Sequence, residues 1–386
     1  MATVAYLTIS GPAGFGQDEA PSPPLGFAPE SRAAEAKAEA FALAIPTPES
    51  ARTWLRTLTE DPHVAGTPAD RKTALFVRDK LREWGWQADL AEYEVLLNYP
   101  AGKPELSLVR PTEEVLPLLE APIPSDKDSA SPDAFPAFHG YGVSGDVTGQ
   151  VVYANYGRPE DFAALDRLGI DVKDKVVLVR YGEQFRGLKV RSAQKRGATG
   201  ILIYSDPADD GFAKGDIYPD GPYRPGSAIQ RGSVQFLSLG PGDPSTPGVA
   251  SVEGAKRLPF NARNGFPIGK SATNESKDRF DVGAWEKATS LVREDYFAMI
   301  PSLPIGYDAA RPILQALGGP NVPAGWQGGL PLAYHVGPGP AEVRFQVTMQ
   351  YAVRPIWDVI ATIKGAVEPE RWVLVGNHRD AWVYGA

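Results

Sequence analysis

The side chains able to do chemistry in this chain are few. It has 4 histidines and no cysteine, which excludes a disulfide scaffold, a thiolate metal site and a thiol nucleophile. His63, His139 and His335 stand alone and read as turn or core residues. His378 differs, because Asp380 follows at i+2. In an extended segment those two side chains leave on the same face. The carboxylate can then hold one ring nitrogen, fix the tautomer and make the other nitrogen a better metal ligand. The plainer alternative is a surface loop with an ordinary ion pair. No His-Glu-x-x-His, phosphate loop, Gly-x-Ser-x-Gly elbow or Gly-x-Gly-x-x-Gly helix opening occurs.

The rest of the sequence must supply a frame for that pair. At 386 residues, 43% hydrophobic and 22% charged, two domains are the starting expectation. A net charge of −8 argues against a general nucleic-acid binder, since phosphate affinity needs clustered cations. No apolar run is long enough to cross a membrane as a helix. Residues 1–30 are too polar and Gly/Pro-rich to order themselves. They fit either a disordered tail or the remnant of a signal peptide. Helices are expected over 31–44 and 51–58. A third is capped by Thr67, opens on Pro68, carries Asp70 in its first turn and ends at Gly85. Ala74, Val77, Leu81 and Trp84 mark its buried face.

After Pro100 the texture changes to short strands. Strands at 150–155, 175–181 and 200–204, with a helix at 188–196, make a small α/β unit. Residues 254–294 read as a polar insertion. A helix capped by Asp308 runs to Leu317. Strands follow at 343–353, 356–364 and 371–376, the last continuously apolar, as for a strand covered on both faces. His378 lies two residues beyond it, where open α/β sheets build their sites. The fold class is α/β or mixed α+β.

The run Val375-Gly376-Asn377-His378-Arg379-Asp380-Ala381-Trp382-Val383-Tyr384-Gly385 closely resembles the start of the zinc site in the glutamate carboxypeptidase and transferrin receptor family. Further landmarks lie upstream in the family's order. They include Pro62-His63-Val64-Ala65-Gly66-Thr67, Tyr93-Glu94-Val95-Leu96-Leu97 and Tyr181-Gly182-Glu183-Gln184-Phe185-Arg186-Gly187. Tyr204-Ser205-Asp206-Pro207-Ala208-Asp209, Tyr218-Pro219-Asp220-Gly221, Gly242-Asp243-Pro244 and Gly365-Ala366-Val367-Glu368-Pro369 continue the series. Each is weak alone, and together they are specific from about residue 47 onward, the insertion apart.

The resemblance implies a two-zinc metalloexopeptidase acting on peptide substrates. Its mixed α/β peptidase sheet, of zinc-exopeptidase type, would be interrupted by a protease-associated (PA) domain. His378 would be a zinc ligand, Asp380 the residue that orients it, and Arg186 the arginine that grips a substrate's terminal carboxylate. Thr246 and Val249 match backbone carbonyls that hold a structural calcium in relatives. A substrate-facing asparagine expected near Ser238 has no clear counterpart. The implied layout is a tail or signal remnant plus helix over 1–46, peptidase over 47–96 and PA domain over 97–352. The start of the zinc-binding part would cover 353–386, truncated. Because the other zinc ligands and the catalytic base fall beyond this sequence in the family, the chain alone is expected to be inactive and to bind neither metal tightly. A homodimer is implied for the complete protein, and the family resemblance, with an N-terminus that fits either a tail or a signal remnant, leans toward export. The rivals are a transferrin-receptor-like binding protein without catalysis and a stand-alone PA recognition module.

Overall fold

Three apolar runs build the centre of the molecule. In a computed structural model of the chain, which describes residues 26–236, 241–258, 260, 287 and 296–384, they become parallel strands buried along their whole length. These are β6 (Val176–Arg180), β7 (Gly200–Tyr204) and β9 (Ser302–Ile305). A strand covered on both faces has no solvent side to mark with polar residues. With β2 (Glu105–Arg110), β3 (Glu114–Val115), β5 (Gly145–Tyr153) and β10 (Glu342–Val347) they form a 7-stranded sheet in the order β3-β2-β10-β5-β6-β7-β9. The β3-β2-β10-β5 side is antiparallel and the β5-β6-β7-β9 side parallel. Helices α4 (Pro159–Arg167), α5 (Arg186–Lys195) and α7 (Tyr307–Ala316) contribute buried residues such as Phe162, Val190 and Ile313 to the same core. One turn of helix, α6 (Pro207–Asp210), follows β7.

The chain divides into two compact units, Met1–Leu58 and Thr59–Ala386. The first carries α1 (Arg32–Leu43), which buries no side chain, and most of α2 (Pro48–Thr59). Thr47 and Ser50 cap α2 reciprocally, each hydroxyl accepting the other's N–H at 3.1 Å. The second unit opens with α3 (Pro68–Glu83), where the Thr67 hydroxyl accepts the Asp70 N–H as its cap. Ala74 is buried as expected, but Trp84 is the C-cap and lies exposed.

Two long strands meet outside the sheet. β1 (Gln87–Pro100) pairs antiparallel with β11 (Met349–Thr362) from Gln87↔Thr362 to Pro100↔Met349. β11 replaces the end of the strand expected over 343–353 and most of that expected over 356–364. A two-residue parallel ladder, β4 (His139–Gly140) with β8 (Gly232–Ser233), stands apart.

Two other expectations are corrected. Residues 371–376 form no strand: Trp372, Val373, Leu374 and Val375 are 77, 92, 83 and 95% exposed. Apolar composition favours a strand only where a neighbour completes the ladder, and none of the described strands lies beside this segment. His378 therefore follows an exposed stretch, not a buried strand. The second correction concerns α7, whose N-cap is Gly306 and not Asp308. A Cβ on Gly306 would stand 2.3 Å from the Gly226 oxygen, so only glycine fits there. Asp308 lies in the first turn, its N–H donating to that same oxygen at 3.1 Å. Ser238 and most of the 254–294 insertion lie outside the described residues.

Candidate functional site

His378, Arg379 and Asp380 are held by the middle residue. Arg379 points back into the protein while its neighbours face outward, the alternation expected of extended backbone. Its Nη1 donates to the buried Asp70 carboxylate at 2.6 Å and to the Asp70 carbonyl at 2.6 Å. It also meets the Thr73 hydroxyl, and Nη2 reaches the Trp357 carbonyl at 3.0 Å. Burial pushes the Asp70 carboxyl up from its ordinary pKa, against the pull of the Gly66 N–H and of Arg379. Beyond the anchor, Ala381 bridges to Val64, and Ala381 N–H and His63 N–H donate to His63 O and Val383 O at 3.1 and 3.0 Å. The His378 ring is 61% exposed. Its Nδ1 donates to the Asp380 carbonyl at 2.9 Å, whereas the Asp380 carboxylate stands 3.6 Å away. The backbone oxygen, not the carboxylate, is the ring's partner here.

Arg186 is the first residue of α5. One turn on, Lys189 fixes that helix to two turns beyond the sheet, its fully buried Nζ donating to Tyr156 O at 2.6 Å and Gly182 O at 2.7 Å. Burial pushes the Lys189 pKa down to about 7. A neutral amine still has two hydrogens for two carbonyls. The Arg186 guanidinium lies 5.2 Å from the Phe185 ring centre and 6.0 Å from that of Tyr181. Among the described residues it makes a long 3.4 Å contact from Nη1 to Ser233 O and also meets the Tyr181 hydroxyl. Its Nε is buried without an acceptor. Among the described residues no carboxylate pairs with it.

Beside Arg186 runs a buried chain of hydroxyls and imidazole. Tyr181 Oη donates to Gln230 O at 2.6 Å and accepts from His139 Nε2 at 2.9 Å; His139 Nδ1 accepts from Ser302 Oγ at 3.0 Å. With the tyrosine proton committed to Gln230, the network assigns the His139 proton to Nε2. Burial, reinforced by the Arg186 charge, pushes the His139 pKa down to about 3. The ring is thus a neutral core histidine, as expected. The β4–β8 ladder ties this chain to the C-terminal segment. Arg186 lies over Gly232 on one strand, and Trp382 lies over Gly140 and against Phe138 on the other.

Thr246 and Val249 are brought together. Their carbonyl oxygens each lie 2.1 Å from the point where a Cβ on Gly242 would stand. Thr246 O already accepts the Val249 N–H at 3.2 Å. Neighbouring Asp243 is saturated, its carboxylate accepting from the Ser245 N–H and hydroxyl, the Leu96 N–H, the Ser251 hydroxyl and Arg257. Two carbonyls are a fraction of the six to eight oxygens calcium takes. The zinc test gives a similar answer. Among the described residues no three His, Asp or Glu side chains converge, while a catalytic zinc needs at least three protein ligands. The described residues do not by themselves fit either ion.

Sequence reading missed Arg379, Asp70, Gly232 and the Tyr181–His139 pair. Only Arg379 left a signal, being the odd member of an alternating His-Arg-Asp run.

Comparison with known proteins settles the ancestry. A probable glutamate carboxypeptidase of Arthroderma benhamiae is 39% identical over 345 residues, covering 86% of this chain and 42% of that protein. This chain is a relative of the glutamate carboxypeptidases. A probable glutamate carboxypeptidase of Zea mays is 37% identical over 333 residues, and an aminopeptidase of Mus musculus, NAALADL1, 33% over 353. These cover 86% of this chain in both cases, and 39% and 42% of those proteins. The chain spans about two-fifths of the length of these curated relatives. The PA domain family model matches residues 147–237, from β5 to just past β8. A solved peptidase M28 precursor from Shewanella amazonensis aligns over 85% of this chain and 52% of that one, at 15% identity and a TM-score of 0.39. The mixed α/β fold rests on the sheet described above and its PA domain on the family model, and the relatives are hydrolases by name.

Proposed function

We propose that this chain is the substrate-recognition part of a two-zinc exopeptidase that removes C-terminal acidic residues. In this reading Arg186 grips the terminal carboxylate. The observation that carries it is the uncompensated guanidinium. A half-buried cation with no carboxylate partner among the described residues, at the first position of a helix with no acidic residue in its first turn, sits where the helix dipole disfavours positive charge. A substrate carboxylate offers the missing counter-charge and two parallel acceptors, a geometry that guanidinium matches and ammonium does not. His378 would give one zinc ligand, with Asp380 and Arg379 holding its segment, and the other donors would come from outside the described residues. Bound zinc would supply the polarisation of the scissile carbonyl. The same reading assigns Thr246 and Val249 to a calcium site, the layout to a PA unit over 97–352 between peptidase segments, and a homodimer to the complete protein. It also holds that the chain alone is not catalytic.

The test is calorimetric titration of the 386-residue chain with a dipeptide ending in glutamate and with its C-terminal amide. The acid should bind at least about tenfold more tightly than the amide, and Arg186→Ala should erase the difference without moving the urea midpoint. Equal binding of acid and amide removes Arg186 from the site. Zinc-dependent hydrolysis by the isolated chain would refute its inactivity.

A further inference from the structure

Two glycines, together with the Phe185 and Tyr181 rings, set the place of the Arg186 guanidinium. A Cβ built on Gly232 would stand 2.2 Å from Arg186 Cζ, 2.3 Å from Nη1 and 2.4 Å from Nε. The guanidinium occupies the volume that any other residue at 232 would fill. Gly187 does the complementary job on the helix, since its Cβ would meet Gln235 O at 2.7 Å and Val234 O at 2.9 Å. It lets the first turn of α5 close onto the chain beyond β8. The backbone on the far side is fixed. β8 pairs with β4 through His139↔Gly232, and Val234 N–H donates to Gly140 O at 2.8 Å. The lateral wall is the Tyr181 ring, with its hydroxyl held by Gln230 and His139.

We infer that Gly232 is a positioning residue for carboxylate recognition: its missing side chain is the seat that holds the Arg186 fork in one orientation, unclaimed by any carboxylate among the described residues. This rests on the reading of Arg186 as the carboxylate grip. The physical logic is that of preorganisation. The fork loses little freedom on binding because packing has already fixed it. Among the described residues the acceptors beside it are the distant Ser233 carbonyl and the Tyr181 hydroxyl, which Gln230 and His139 already engage, and no carboxylate competes for it. Placing a methyl group at 232 collides first with the softest neighbour, the far end of the arginine.

The experiment is a double-mutant cycle on the 386-residue chain, read with the glutamate-terminated dipeptide and its C-terminal amide. Gly232→Ala should weaken binding of the acid at least about tenfold and leave the amide unchanged. In the Arg186→Ala background the same substitution should cost nothing further, because its effect passes through the arginine. Additive losses, or equal losses for acid and amide, overturn the inference. So does a Gly232→Ala chain that binds the acid normally while Arg186→Ala does not, an outcome that leaves the reading of Arg186 standing. No preference for the acid in the unaltered chain refutes that reading and this inference together. Gly232 has φ +151°, so alanine there carries backbone strain, and a variant-free measurement is needed as well. In the unaltered chain the Arg186 Nε–H should exchange at least about tenfold more slowly than exposed arginines, because its nitrogen is buried. Exchange at the rate of exposed arginines overturns the inference.

Discussion

Replacing Arg379 with methionine should undock the segment that carries His378 and leave the central sheet intact. Arg379 makes one ion pair with Asp70 and three further hydrogen bonds, to Asp70 O, Thr73 Oγ1 and Trp357 O. Methionine keeps much of the apolar stem and removes all four. Breaking a buried pair from one side costs about 3–5 kcal/mol, because the remaining charge loses its partner. The other ties of this segment among the described residues are few: a β-bridge, two backbone hydrogen bonds, the Trp382 ring against Phe138 and Gly140, the buried Ala381 and Val383 side chains, and a contact from Tyr384 to Ser131. A loss of that size therefore acts on local opening. At 1.4 kcal/mol per decade, hydrogen-exchange protection of the Ala381 and His63 amides should fall by about two to three and a half orders of magnitude. The Leu202 amide, in the middle of β7, should keep its protection. Two results would refute the reasoning. A fall below about tenfold at Ala381 would mean that the pair behaves like an exposed one. An equal fall at Leu202 would mean that the segment and the sheet open together.

Two pH effects follow from buried groups. His139 is held neutral with a pKa of about 3, so below about pH 6.5 the unfolded chain takes up a proton that the folded chain refuses. Stability should fall with falling pH by up to about 1.4 kcal/mol per unit from this residue, and its ring resonances should not titrate between about pH 5 and 8; a midpoint near 6.5 would contradict the buried network. Asp243 is pushed up by burial but pulled further down by hydrogen bonds from Ser245, Arg257 and Leu96, for a net lowering. Its contribution is present above the ordinary carboxylate pKa and lost as pH falls through the lower folded value. Asp243→Asn should therefore be less stable at neutral pH and show a shallower acid-side decline in urea midpoint; curves parallel to the unaltered chain would remove Asp243 from that account.

How much of this was legible depends on whether the cause was local. β7 matches its expected range residue for residue, because a fully buried parallel strand declares itself by composition. The start of α3 was equally readable, since Thr67, Pro68 and Asp70 act within one turn. β1 was not, because its partner lies about 250 residues away and its own pattern is mixed. Residues 371–376 misled for the opposite reason: their apolar run describes what a strand would bury, and no described neighbour buries it. Asp308 is a good cap by type but was displaced by a glycine whose advantage is the approach of Gly226 O. Gly232 left no trace at all. A glycine's missing side chain has meaning only once Arg186 is known to fill the gap.

The β1–β11 ribbon has a kinetic corollary. Joining Pro100 to Met349 directly closes a loop of about 250 residues, but once β2 has paired with β10 the ends are separated only by the short links to Glu105 and from Val347. Loop-closure entropy makes the second route cheaper by about 3 kcal/mol, some hundredfold in rate. The sheet must condense before the ribbon zips, and slow-folding lesions in its strands will delay both ends of the stem at once.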